Sequence, residues 1–307
     1  MATTNAPTSP FAPGNTRIGF IGIGNMGTPM AGRLVKAGWQ VCVHDTDQAK
    51  VDLFMKNHGG TRAATLEDMA RGSDVVITML PDGGIVRAVA LGATSDSDSL
   101  ARGYSPGAIL LDMSSSSPVG TRALGVELDK RGVALIDAPV SGGVKGAVAG
   151  TLAIMTGGDE ALAQRLDPLL AVMGKRFYVG ALGAGHAAKV LNNYVSAAGL
   201  AAASEALHVA ERFGIAPATL LTVLNASTGR NNSTENKFAQ FILNGKFDSG
   251  FSLGLMAKDL SLAMEVAQAC GVPADLGRAC LRLWKDAEAT VGSKADHTEI
   301  ARYVNER

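Results

Sequence analysis

The chain has 307 residues, of which 47% are hydrophobic and 18% charged, and its 28 basic and 28 acidic residues give a formal net charge of +0. This length predicts two domains, each with enough apolar material for a core. The balanced charge and the absence of a basic patch argue against nucleic acid and anionic membranes as partners. No apolar run approaches the roughly 20 residues of a membrane-spanning helix.

The first 16 residues are dominated by Pro, Thr, Ser and Asn, and this composition predicts a disordered tail. The segment lacks the basic and apolar regions of a secretory signal, and it contains no Arg. The cysteines Cys42, Cys270 and Cys280 form no CxxC pair and have no His at metal-ligand spacing. We therefore expect no metal site, reduced thiols and a cytoplasmic protein.

Residues 17–182 alternate short apolar runs with helical stretches, a pattern typical of a parallel sheet with helices on both faces. Strands are predicted at 18–23, 40–44, 74–80, 108–113, 134–138 and 151–156. Helices are predicted at 26–37, 47–58, 66–71 and 121–131. From residue 183 the pattern becomes helical, with helices predicted at 186–213, 217–224, 236–243, 255–270 and 275–289. We place the domain boundary between residues 182 and 183.

The first predicted strand ends in a Gly-x-Gly-x-x-Gly loop. The loop consists of Gly22, Ile23, Gly24, Asn25, Met26 and Gly27. Gly22 permits a tight turn, Gly24 lets a pyrophosphate approach the backbone, and Gly27 lets the next helix pack on the strand. A structural glycine-rich turn is the alternative, but the strand and helix on either side favour a Rossmann dinucleotide site.

Asp45 follows the second predicted strand, 21 residues after Gly24. A carboxylate there accepts hydrogen bonds from the adenosine ribose hydroxyls and repels a 2′-phosphate. No Arg or Lys appears between Asp45 and Lys50. The sequence therefore predicts NAD rather than NADP as the cofactor.

Three further segments lie at the ends of predicted strands. Leu80 and Pro81 close one predicted strand, and Ser114 and Ser115 follow the next, at the edge where open α/β sheets bind ligands. A simple turn is an equally good local explanation of the serines. Ser141, Gly142 and Gly143 offer a hydroxyl and unobstructed amides that suit a carboxylate, although a tight loop required by the fold explains them as well.

The longest predicted helix carries Lys189 and Asn193 four residues apart, which places them on one face. Lys189 has apolar neighbours, and a buried lysine is costly unless its charge is used or its pKa falls, as a general acid/base requires. A solvated lysine is the alternative. Lys258 and Asp259 also interrupt an apolar helix, where a surface salt bridge is the simple explanation.

Together these segments resemble the β-hydroxyacid dehydrogenases, a family that includes 3-hydroxyisobutyrate, tartronate semialdehyde and 6-phosphogluconate enzymes. The matching segments are 22–27, 137–143, 183–193 and 258–259, in the family's order and spanning nearly the whole chain past the tail. The resemblance implies a Rossmann domain joined by a long interdomain helix to an all-helical substrate and oligomerisation domain. It implies an NAD-dependent enzyme that transfers hydride between a small 3-hydroxy carboxylic acid and NAD, as a homodimer or homotetramer.

The resemblance also implies a role for each motif. Lys189 is the acid/base and Asn193 orients the substrate, while Ser141, Gly142 and Gly143 bind its carboxylate. Lys258 reaches both the substrate and the nicotinamide. The cofactor is lined by Leu80, Pro81 and Ser115, the last of which is Thr in many relatives.

Several alternatives remain open at this point. A semialdehyde or glyoxylate reductase uses the same site in reverse. An imine reductase usually replaces the lysine and favours NADP, and a 6-phosphogluconate-type enzyme needs a larger helical domain. A non-catalytic nucleotide-binding module leaves the complete set of site residues unexplained. Arg230, in a polar loop of the helical domain, pairs with a second acidic group of the substrate or belongs to a helix-capping loop.

Overall fold

A computed structural model of the protein describes residues 11–94 and 96–306. The chain divides into two compact units, the first ending at Lys189 and the second beginning at Val190. Residues 1–10 of the predicted disordered tail lie outside the described residues. The boundary predicted between 182 and 183 stays a prediction.

Residues 11–16, the rest of the predicted tail, form an ordered turn, so the prediction of disorder is wrong for this part. The amide of Ala12 donates to Asn15 Oδ1 at 3.2 Å, and Thr16 is buried. The Phe11 ring lies under the Arg165 guanidinium, 4.7 Å from ring centroid to Cζ. Phe11 thus gives the turn a packing contact that the polar composition of the segment conceals.

The first unit alternates strands and helices in the following order. β1 is Arg17–Ile21, α1 Gly27–Lys36, β2 Gln40–His44, α2 Gln48–His58, β3 Thr61–Arg62, α3 Leu66–Gly72, β4 Val75–Thr78, α4 Gly83–Leu91, β5 Ile109–Asp112, α5 Pro118–Asp129, β6 Ala134–Asp137, β7 Val140–Ser141, α6 Gly143–Ala149, β8 Leu152–Gly157, α7 Glu160–Arg165, α8 Asp167–Leu170 and β9 Gly174–Gly180. A short 3-10 helix, Leu100–Arg102, precedes β5.

Within the described residues, nine strands form one sheet in the order β3-β2-β1-β4-β5-β6-β8-β7, with β9 paired to β8. All pairs among β1 to β6 are parallel, which confirms the predicted Rossmann-type sheet. The sequence did not predict that β8 runs antiparallel to β6 and β7. The sequence did not predict β9, because its residues alternate between half-buried and exposed and form no apolar run.

The sheet has an apolar core on each face. Ile77 packs in one cluster with residues of α1, and its neighbour Val76 packs in the other with residues of α3 and α5. Successive side chains of a strand point to opposite faces, so a strand such as β4 that is buried throughout must be covered on both sides. Its carboxyl end, like those of β1, β5 and β6, opens into the loops that carry the predicted site residues.

The second unit is helical. Its helices are α9 Ala184–Phe213, which begins in the first unit, then α10 Pro217–Ala226, α11 Asn232–Asn236, α12 Leu253–Ala269, α13 Asp275–Val291 and α14 Ile300–Asn305. A π-helix at Phe238–Ile242 and a 3-10 helix at His297–Glu299 complete the unit. Its core is built around the fully buried Trp284. Among the helices that the structure describes, none is both long and apolar enough to cross a bilayer.

One predicted helix of this unit is wrong in its limits. The sequence predicted a helix at 236–243, but α11 ends at Asn236 and a π-helix follows. The Asn231 side chain accepts from the amides of Ser233 and Thr234, and Thr234 Oγ1 accepts from the Asn231 amide. This capping box starts a helix at Asn232, earlier than the apolar pattern indicates.

Candidate active site

The glycine-rich loop after β1 contains two glycines that the fold requires and one that it does not. A Cβ on Gly22 would lie 2.3 Å from Met79 O, and a Cβ on Gly27 would lie 1.9 Å from Gly22 O. A Cβ on Gly24 would meet no protein atom within 4 Å. The open space beside Gly24, at the loop that begins α1, fits a pyrophosphate that needs close approach to the backbone.

Asp45, at the end of β2, is hydrogen-bonded to this loop. Its Oδ2 accepts from the Ile23 amide at 2.8 Å, and its Oδ1 accepts from the Asp47 amide at 2.9 Å. A carboxylate has about four acceptor positions. Each oxygen of this half-buried side chain therefore retains capacity for a ribose hydroxyl, and the whole arrangement fits a dinucleotide.

A buried hydrogen-bond network joins the ends of β4 and β5. Asp112, 2% exposed, accepts from Thr78 Oγ1 at 2.9 Å and Ser116 Oγ at 2.7 Å, and the Ser114 amide donates to it at 3.0 Å. Ser114 Oγ in turn accepts from the Leu80 amide at 2.9 Å. This network fixes the two loops that carry Leu80, Pro81 and Ser115.

Ser141 lies on the short strand β7, at a register position opposite Ala153 of β8. Gly142 and Gly143 follow it with φ values of +128° and +60°, in a region that favours glycine. A Cβ on Gly143 would meet nothing within 4 Å. The loop therefore exposes backbone amides beside the half-buried Ser141 hydroxyl.

The start of α9 is fixed by Asp137, at the end of β6. The fully buried carboxylate accepts from the amides of Gly183 and His186, each at 2.8 Å. A Cβ on Gly185 would lie 2.2 Å from Met155 O, so this position needs glycine for the helix to approach β8. A Cβ on Gly183 would lie 2.8 Å from Pro118 O, so both glycines before Lys189 are required by packing.

Lys189 and Asn193 follow on α9, and both are nearly buried, with exposed fractions of 9% and 7%. Asn193 Nδ2 donates to Asp259 Oδ2 at 2.6 Å. Asp259 is 2% exposed, and its Oδ1 lies 3.6 Å from Lys258 Nζ. The predicted Lys258–Asp259 pair is therefore more than a surface salt bridge, because its carboxylate holds the Asn193 amide within the second unit.

Arg230 has its ion pair within its own loop and the helix that follows. Its side chain is 63% exposed and its Nε lies 3.6 Å from Glu235 Oε1. The adjoining Asn231 is the N-cap of α11. The segment is therefore a helix-capping loop, and the pairing of Arg230 with an acidic group of the substrate stays a prediction.

Sequence reasoning missed Asp112, Thr121 and His186 as parts of the site region. Each is buried, and each hydrogen-bonds to loops at the strand ends. The available signal for each is a polar residue just after an apolar strand or at the start of a helix. Asp259 carries the same kind of signal, a carboxylate within an apolar helix.

Comparison with known proteins identifies the chain's relatives. Residues 17–183 match the family model of the NAD-binding domain of 6-phosphogluconate dehydrogenase, and residues 183–304 match that of NADP-dependent 3-hydroxyisobutyrate dehydrogenase. The 2-(hydroxymethyl)glutarate dehydrogenase of Eubacterium barkeri is 36% identical over 93% of this chain and 94% of its own length. An NAD-dependent L-serine dehydrogenase of Pseudomonas aeruginosa is 37% identical over 88% and 91%.

The chain belongs to the β-hydroxyacid dehydrogenase family. It is an NAD-dependent dehydrogenase, as the resemblance of its motifs implied. A structure of the Mycobacterium tuberculosis 3-hydroxyisobutyrate dehydrogenase with L-serine is 35% identical to it, with a TM-score of 0.85, and the match covers 94% of this chain and 99% of that one. A reductive aminase from Aspergillus terreus shares the fold alone, at 22% identity and a TM-score of 0.58 over 94% and 99% of the chains.

Proposed function

We propose that this β-hydroxyacid dehydrogenase oxidises a small 3-hydroxy carboxylic acid, of the 3-hydroxyisobutyrate kind, with Lys189 as general acid/base. The observation that carries the proposal is the near burial of Lys189 and Asn193, one turn apart on α9. A buried lysine amine is a costly feature that a proton-transfer role explains.

In this mechanism the chain binds and orients the acid and moves one proton. Ser141 Oγ and the amides of Gly142 and Gly143 hold the substrate carboxylate. Lys189 Nζ accepts the hydroxyl proton, and the Asn193 amide, held by Asp259, orients the hydroxyl. NAD, when bound, supplies the hydride acceptor.

The glycine-rich loop would hold the cofactor, with Asp45 accepting from the adenosine ribose hydroxyls and with Leu80, Pro81 and Ser115 lining the cofactor. Lys258 serves the nicotinamide edge and the substrate. NAD is preferred to NADP because the Asp45 carboxylate repels a 2′-phosphate.

The relatives narrow the substrate class to acids that carry a primary hydroxyl near a carboxylate. Their names include L-serine, 3-hydroxyisobutyrate and 2-(hydroxymethyl)glutarate dehydrogenases. In reverse, protonated Lys189 polarises an aldehyde carbonyl. Reduction of tartronate semialdehyde to glycerate is therefore the reverse direction of the same proposal, and reduction of succinic semialdehyde to 4-hydroxybutyrate is the alternative reaction at the same site.

The test is nicotinamide absorbance at 340 nm with NAD and NADP in parallel, against 3-hydroxyisobutyrate, L-serine, 3-hydroxypropionate, glycerate, threonate and 4-hydroxybutyrate. We expect an NAD-selective signal with at least one acid. Lys189→Ala should lower kcat by about 10²-fold or more while NAD binding changes little. Near-normal turnover of Lys189→Ala would contradict the acid/base role, and silence of the wild-type protein across the panel would contradict the substrate class.

We also propose that the enzyme is a homodimer or homotetramer assembled through its helical unit. On α9, Val195, Val209 and Phe213 are 69%, 67% and 84% exposed, although all three are large and apolar. Val209 and Phe213, four residues apart, share a helix face, and exposed apolar side chains that lie together are typical of interaction surfaces. A cytoplasmic location is the accompanying proposal, supported by three cysteines that all remain free thiols.

A further inference from the structure

His186 is a fully buried histidine in the first turn of α9, three residues before Lys189. Its ring makes two directional contacts within the first unit. Nε2 donates to the Ser114 carbonyl at 3.0 Å, and Nδ1 lies 2.8 Å from Thr121 Oγ1. The mechanism proposed above uses none of these contacts.

Two buried carboxylates flank the ring. Asp112 Oδ2 lies 3.6 Å from Nε2, and Asp137 Oδ2 lies 3.8 Å from Nδ1. Asp112 belongs to the network at the ends of β4 and β5, and Asp137 accepts from the first amides of α9. The imidazole therefore connects the ends of β5 and β6, the start of α5 and the start of α9.

The geometry fixes the rotation of the helix about its axis. A carbonyl oxygen only accepts hydrogen bonds, so Nε2 carries a hydrogen and the ring has one orientation that satisfies both contacts. Residues three apart share a helix face, so His186 and Lys189 move together. With Cα atoms about 2.3 Å from the axis, a rotation of roughly 20° shifts the lysine backbone by about 1 Å, and the longer side chain by more.

We propose that His186 is a positioning residue for Lys189, holding the first turn of α9 in the rotation that aims the lysine amine. The inference rests on the proposed function, because the acid/base role of Lys189 is part of that proposal. A histidine between two buried carboxylates is a costly way to fill space that an apolar side chain of similar volume would fill. Its two ring contacts supply what an apolar side chain lacks, a fixed orientation.

The test compares His186→Leu, which removes both ring contacts, with His186→Gln, whose amide nitrogen can replace Nε2 as the donor to Ser114 O while Thr121 Oγ1 keeps its bond to Ser117 O. A misplacement of about 1 Å is associated with losses of up to about 10²-fold in rate. We expect kcat of His186→Leu to fall 10- to 100-fold while the KM for NAD stays within about twofold. His186→Gln should recover kcat to within about threefold of wild type. His208→Leu, at a partly buried histidine on the same helix, is the matched control and should leave kcat unchanged.

A double-mutant cycle separates positioning from general destabilisation. If His186 acts through Lys189, His186→Leu should not lower the residual turnover of Lys189→Ala any further. Equal losses of kcat in both backgrounds, or an unchanged kcat in folded His186→Leu, would overturn the inference and leave the proposed function standing. If His186→Leu does not fold, Thr121→Val replaces it in the same cycle, because it removes the Nδ1 contact and the Thr121 Oγ1 bond to Ser117 O but leaves the Ser114 contact in place. A wild-type protein silent across the whole panel of hydroxy acids named above, or normal turnover of Lys189→Ala, overturns the proposed function and this inference together.

Discussion

Lowering the pH should destabilise the helical unit through one buried histidine, His297. The Lys237 ammonium donates to His297 Nε2 at 2.5 Å, and Nδ1 lies 3.1 Å from the Phe251 carbonyl and 3.6 Å from Asp296 Oδ1. Burial, followed by the charge of Lys237, lowers the pKa of His297 from 6.5 to about 4. Protonation of the folded ring would place two cations together, so the folded protein keeps the ring neutral.

The sign and size of the effect follow from the two pKa values. Because the folded pKa of His297 is the lower one, the ring's contribution to stability is present above pH 6.5 and is lost as the pH falls towards 4. At about 1.4 kcal/mol per pKa unit, roughly 2 to 3 kcal/mol of unfolding free energy should disappear between pH 7.5 and 4.5. That is a measurable part of the 5–15 kcal/mol typical of folded proteins.

The assay is urea unfolding at pH 7.5 and 4.5, followed by tryptophan fluorescence. Trp284 is fully buried and stacks against His297 at 6.5 Å between ring centroids, so a Trp39→Phe background leaves one reporter in the relevant unit. His297→Gln keeps an acceptor for Lys237 but has no titratable ring. Its pH dependence should be smaller than that of the parent by about 2 kcal/mol. Equal losses in the two proteins would refute the reasoning.

Three further predictions concern the cofactor and the assembly. Asp45→Ala should weaken NAD binding and relax the rejection of NADP, measured as the ratio of kcat/KM for the two cofactors; an unchanged ratio would remove Asp45 from this role. Gly24→Ala should weaken NAD binding with little change in Tm, because a Cβ on Gly24 meets no protein atom within 4 Å. Gly27→Ala should instead lower Tm, because a Cβ on Gly27 would lie 1.9 Å from Gly22 O. Phe213→Asp should shift the sedimentation coefficient towards the monomer, and an unchanged value would exclude this face from the interface.

The sequence predicted the parallel half of the sheet well because its strands are apolar runs bounded by turns. β2 was predicted at Gln40–His44 and observed there, and β4 and β5 were found with ends shifted by one or two residues. The antiparallel strand β8 was found as a strand, but its direction was not predicted. The direction of β8 depends on the short connection through α6 and on which edge of the sheet is free to pair. The periodicity of apolar residues indicates neither.

The cofactor motif could be predicted because the backbone of the loop leaves room only for glycine at two of its positions. Gly22 and Gly27 are fixed by contacts under 3 Å that a side chain would make, so the pattern is visible without the structure. The buried polar contacts could not be predicted in the same way. Asp112 and His186 are 74 positions apart in the chain, and their proximity follows from the order of the strands rather than from any spacing.

The buried polar residues at the strand ends depart from ordinary folding preferences. A core is most easily stabilised by apolar side chains, yet the first unit buries Asp112, Asp137 and His186 together at the carboxyl ends of its parallel strands. Each makes directional hydrogen bonds that fix a loop or a helix start at the edge where α/β sheets bind their ligands. These buried polar groups bond to segments that carry the proposed site residues. This supports the proposal that they hold the geometry of that site in addition to stabilising the fold.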